Sequence, residues 1–167
     1  MGRFEMSDRI VNSLTLFSTV GSGLIAGIFF AFSVFVMTAL VRLPAAQGIA
    51  AMQSINIVIL NPLFGLVFGG TALACGVLAI TSCFKWGETG MMYLLVGSIF
   101  YLIGSFLVTI VFNVPLNDAL AAVDPDSAQG ADLWIRYNAS WTAWNHVRTV
   151  ASFAALVSFI LAFRQIG

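Results

Sequence analysis

Charged residues are sparse in this chain and leave long apolar intervals between them. None lies between Arg9 and Arg42, between Arg42 and Lys85, or between Glu88 and Asp118. A bilayer-crossing helix needs roughly 20 apolar residues, and each interval holds one. The pattern predicts helices near residues 11–40, 62–84 and 91–112. A fourth apolar stretch ends near Arg164. Starting it after Arg148 leaves only about 15 residues, too few to cross. It is therefore predicted over 140–164, with Arg148 about two turns inside. An arginine at that depth is costly and calls for a partner or a wet cavity. Residues 1–9 read as a short polar lead-in, an interfacial helix. A signal peptide does not fit, because the first apolar stretch is too long and no small-residue cleavage site closes it.

These spans predict an all-α fold, one membrane-embedded domain over 1–167. It is a four-helix transmembrane bundle, up-down, with short interfacial helices in the loops after helices one and three. An even helix count puts both termini on one side. Arg3, Arg9, Lys85 and Arg164 then share a side, against Arg42, Arg136 and Arg148. The positive-inside rule makes that side cytoplasmic and points to a bacterial inner membrane. The acidic loop with Asp118, Asp124, Asp126 and Asp132 then faces outward. Gly23 and Gly27 form a small-residue pair at four-residue spacing, as do Gly65 and Gly69. Such pairs let helices approach closely, within one bundle or along the seam of a homo-oligomer.

Composition narrows the classes further. Of 167 residues, 60% are hydrophobic and 8% charged, and mean hydropathy is +0.99. Soluble domains run near 25% charged, so the excess apolar surface has to face lipid, and the bilayer is the first partner. Net charge is +0, which leaves no basic patch for nucleic acid. Two Cys and one His exclude a disulfide scaffold, an all-thiolate iron–sulfur site and a zinc finger. Cys75 and Cys83 lie about 12 Å apart along one helix and cannot bridge each other.

The unusual polar residues gather at one end of such a bundle. Gln53, Asn56, Asn61 and Pro62 precede or open helix two. Asn113, Pro115 and Asn117 end helix three. Tyr137, Trp141, Trp144, Asn145, His146 and Arg148 open helix four. A polar, aromatic-lined pocket follows if these ends converge. At about 100° per residue, Tyr137, Trp141, Trp144, Asn145, Arg148 and Ser152 share one stripe, while His146 points elsewhere. Plainer roles compete. Trp141 and Trp144 fit an interfacial aromatic belt. Asn61 before Pro62 fits a helix cap, and Asn117 caps a short helix. Arg148 fits a cap on a neighbouring helix end. No Asp or Glu falls inside a predicted span, which disfavours a proton-coupled transporter.

Four segments carry a resemblance over nearly the whole chain. They are Ala26-Gly27-Ile28-Phe29-Phe30-Ala31-Phe32-Ser33, Met52-Gln53-Ser54-Ile55-Asn56 with Asn61-Pro62, Asn113-Val114-Pro115-Leu116-Asn117, and Trp141-Thr142-Ala143-Trp144-Asn145-His146-Val147-Arg148-Thr149. Together they resemble the anthrone oxygenase-like integral membrane family. The resemblance implies oxidation of a lipophilic, anthrone-type aromatic to a quinone with O2 as co-substrate and no cofactor. It implies that Arg148, Asn113, Asn117 and Asn145 hold the oxyanion. Trp141, Trp144 and Tyr137 then stack on the substrate, and Gln53, Asn56 and Asn61 complete the wall. His146 has the ordinary pKa for the base, yet the wheel turns it away. Two alternatives remain: a non-catalytic small-molecule-binding or structural membrane subunit, and a haem or copper redox protein using His146.

Overall fold

The computed structural model describes the backbone of residues 2–166 and the side chains of 8–166. Helix α1 covers residues 2–41 in three consecutive stretches: Gly2–Ala31, a π-helical stretch Phe32–Val36, and Met37–Val41. Met1 of the expected lead-in lies outside the described residues. From Gly2 onward that segment forms the first turns of α1 rather than a separate helix. Pro44, with extended ψ of 141°, opens the short α2, Ala45–Val58. The third helix, α3, is Pro62–Phe84. Asn61 Oδ1 accepts from Phe64 N at 3.0 Å with proline at the first helical position, so this boundary is set by local chemistry. Gly87 and Gly90, both at positive φ, make the turn into the next helix.

Helix α4 runs over Met91–Ala121 and α5 over Ala128–Ile166. Both exceed their predicted spans. The second interfacial helix expected after helix three is the continuation of α4. Two π-helical stretches, Phe100–Leu107 and Thr109–Asn113, precede Pro115, and Asn113 and Val114 keep helical dihedrals, so the chain passes the proline without breaking. Helix α5 begins twelve residues before Ser140 because Ser127 caps it: Ser127 Oγ accepts from Gly130 N at 2.9 Å.

Four of the five helices are long and apolar enough to cross a membrane. Their outer faces expose large apolar side chains, among them Leu66, Leu73, Ile103, Val150 and Phe153. The chain is an integral membrane protein. Each long helix packs on its neighbours in sequence, and α5 closes the ring against α1. Two cores fill it. One, with Ile25, Leu78, Leu94 and Phe159, occupies the half towards the termini. The other, with Met52, Leu120, Trp134, Tyr137 and Trp141, joins α2 to the opposite end of the bundle. Some buried hydroxyls turn back on their own helices, as Thr15 Oγ1 does to Val11 O and Ser82 Oγ to Leu78 O, each at 2.7 Å, so these enter the apolar interior already bonded. At the terminal end Lys85 Nζ donates to Asp8 at 2.8 Å, and this bond raises its pKa above the ordinary lysine value.

Of the glycine pairs expected at helix contacts, only a Cβ at Gly23 meets a neighbouring helix, with Leu156 at 3.5 Å. A Cβ at Gly27, Gly65 or Gly69 meets nothing within 4 Å. The close approaches fall at Gly21 against Thr71, Gly97 against Phe159, and Gly104 against Ala151.

Candidate functional site

The inner stripe of α5 organises the polar end. Tyr137, Trp141, Asn145, Arg148 and Ser152 are all buried along it, and Trp134, Tyr137 and Trp141 stack in a column. Asn117, projecting from α4, ties the column down. Its Oδ1 accepts from Tyr137 OH and from Trp141 Nε1, each at 2.9 Å.

Arg148 lies about two turns beyond Trp141, 4% exposed. Its Nη2 donates to Asn145 Oδ1 at 2.7 Å and its Nη1 to Thr109 Oγ1 at 3.3 Å. Asn145 is in turn fixed by α1: its Nδ2 donates to Phe29 O at 2.7 Å and to Ser33 Oγ at 2.8 Å. The π-helical stretch that begins at Phe32 is therefore pinned to α5 beside the arginine, as π turns commonly are at functional sites. The guanidinium carbon sits 4.2 Å from the Phe29 ring centroid and 5.0 Å from that of Trp141. Both faces give cation–π stabilisation. Among the described residues the ion pairs are Lys85's alone, so Arg148 has no carboxylate partner, and its Nε has no hydrogen-bond partner.

A cavity of about 410 Å³ opens beside it, in the size range of small-molecule sites. Arg148, Trp141, Phe29, Asn56, Asn117 and Asp118 are among its walls, with Met52, Ile55 and Phe64. Gln53 lines it too and clamps the end of α4, its Nε2 donating to Leu120 O at 2.8 Å and Val123 O at 3.1 Å. Asn56 Nδ2 is buried and without a partner.

The other expected residues are placed differently. Asn113 is fully buried and holds Trp141 O through Nδ2 at 3.2 Å, one layer behind the wall. Asn145 and Tyr137 likewise act from behind, on Arg148 and Asn117. Trp144 stacks on Phe112, centroids 3.7 Å apart, and is not part of the cavity lining. Asn61 is an exposed helix cap. His146 is exposed on the outer surface of α5, away from the cavity. It has no cluster around it: among the described residues no three His, Cys, Asp or Glu side chains are grouped to hold a metal, and Cys75 and Cys83 are free thiols.

The profile of the anthrone oxygenase family matches residues 59–158. That stretch runs from the opening of α3 through Arg148. The chain belongs to the anthrone oxygenase family. Comparison with curated proteins and with solved structures gives no match. In this family member, residues at the site that the sequence-derived set lacks include Phe29, Ser33, Thr109 and Asp118. Phe29 and Ser33 lay inside a segment that carried the resemblance. Thr109 and Asp118 had no signal beyond a hydroxyl in an apolar span and a carboxylate at a helix end.

Proposed function

We propose that the chain oxidises a flat, lipophilic, anthrone-type aromatic with O2 in the cavity beside Arg148. The observation that carries this is a buried guanidinium without a carboxylate partner, packed against two aromatic rings on the wall of a mostly apolar cavity. Such a group favours a ligand in which negative charge develops on oxygen. An anthrone that loses a ring-methylene proton becomes an enolate, and Arg148 compensates its oxyanion. Asp118, on the wall, is the carboxylate that takes the proton. The enolate passes one electron to O2, the radicals combine to a peroxide at carbon, and loss of water leaves the ketone. One oxygen atom enters the product and the other leaves as water. Trp141 and Phe29 supply the flat walls, and the surrounding apolar side chains exclude bulk water. The protein's place is a bacterial inner membrane, both termini cytoplasmic, with the cavity at the outer face.

Oxygen uptake by membranes containing the protein, with an anthrone as substrate, tests this. Arg148→Lys keeps a charge but not the planar fork, so turnover falls about 100-fold or more with the fold intact. Asp118→Asn lowers it as well. Normal turnover in Arg148→Lys removes the arginine from the chemistry. The cavity's single, exposed carboxylate also fits a second reading, binding of the same aromatic class without turnover. Ligand-dependent stabilisation of the protein without oxygen uptake would favour it.

A further inference from the structure

The seam between α1 and α5 carries two grooves in succession on its outer side. The first, about 580 Å³, lies at the end of the bundle that holds the cavity. Its polar side chains are Thr38, Arg42, Asn138, Thr142 and His146. The second, about 670 Å³, lies farther along the same helix pair, among Gly23, Gly27, Phe30, Val150 and Phe153, with no charged residue in its lining. One face of α5 runs through both, since Ala139, Thr142, His146, Val150 and Phe153 recur at three- and four-residue spacing. Phe30, Val150 and Phe153 are exposed, so the lower groove faces hydrocarbon.

From the membrane face inward the seam is thus cationic, then polar and neutral, then apolar. A phospholipid has the complementary profile: an anionic phosphate, an ester layer and an acyl chain. We propose that this seam binds one anionic phospholipid, with its phosphate at Arg42, its ester oxygens opposite Thr142 and His146, and one acyl chain in the lower groove. Arg42 is exposed immediately beyond the apolar span of α1, the level at which arginine meets headgroups. It has no ion pair among the described residues, and no carboxylate lines either groove. His146 is about 12 Å farther along α5 than Asn138 at 1.5 Å per residue, too deep for the phosphate and suited to the esters. Gly27 has open space where a Cβ would stand. Its smallness therefore shapes the acyl slot, whereas the helix contacts use other glycines.

Native mass spectrometry of the protein, delipidated in mild detergent and titrated with phosphatidylglycerol or phosphatidylcholine, tests the site. The expected result is one retained phosphatidylglycerol per chain, preferred about fivefold, the value of one cation near a lipid surface. Arg42→Gln, a surface change, brings the preference to about one while Lys85→Gln, at the other end, leaves it. Gly27→Leu lowers retention of both lipids. An unchanged preference in Arg42→Gln overturns the proposal. So does displacement of the lipid by millimolar inorganic phosphate alone, which would mark an ion site only. A protein that runs as a dimer and becomes monomeric in Gly27→Leu would make the seam a contact between copies, and would overturn it too.

Discussion

Arg148 is solvated by the protein itself: an amide oxygen, a hydroxyl and two aromatic faces take the place of water. The support reaches back through single residues, and Asn117 is the one with most depending on it. Its one oxygen serves both Tyr137 OH and Trp141 Nε1. Asn117→Ala leaves two buried donors without an acceptor, a cost of about 1–3 kcal/mol each at full burial. The expected outcome is a lower Tm and a shifted tryptophan emission, read from a thermal melt and a fluorescence spectrum. An unchanged spectrum would mean that water replaces the amide. At this scale much of the site was legible. A cation two turns inside an apolar span, with aromatics at helical spacing, singled out Arg148 and Trp141, and Asn117 stood among the asparagines that end helix three. The edge of the stripe was not legible, because a wheel gives an angle and no neighbour: Trp144 sits on that edge and turns to Phe112. Phe29 and Thr109 come from other helices, and only packing brings them to the guanidinium.

Helix boundaries were legible where chemistry is local. Asn61-Pro62 fixed the start of α3 to the residue. The start of α5 was hidden, because Ser127 caps a first stretch carrying Asp132 and Arg136 that lacks the composition of a span. The end of α4 was hidden for the opposite reason, since Pro115 reads as a stop and the chain continues through it. Glycine spacing was the least informative signal. Gly65 and Gly69 repeat at four residues yet face open space, whereas isolated Gly104 lies against Ala151. Gly69→Ala should therefore stabilise α3 by about 0.5–1 kcal/mol, the helix-propensity gain. Gly104→Ala should push α4 from α5 and cost about 1–3 kcal/mol. Thermal melts of the two variants in one detergent check this, and equal Tm values would mean that the α4–α5 approach relaxes freely.

Across the whole molecule, charge and topology agree on a bundle with two unlike ends. The terminal end is closed by Lys85 with Asp8 and Glu88, and the other end carries the cavity and the acidic connection between α4 and α5. With native Cys75 and Cys83 replaced, a single cysteine near Asp126 should react with a membrane-impermeant thiol reagent in intact cells. Reaction only after lysis inverts the orientation.

The core of Ile25, Leu78, Leu94 and Phe159 fills the half of the bundle that the cavity does not reach. A ligand beside Arg148 therefore meets packed side chains on the side towards the termini. An oxidation carried out wholly in that cavity, as proposed, moves no cargo from one compartment to the other and has no step for a proton gradient to drive. In sealed vesicles energised and then collapsed with an uncoupler, its turnover should not change.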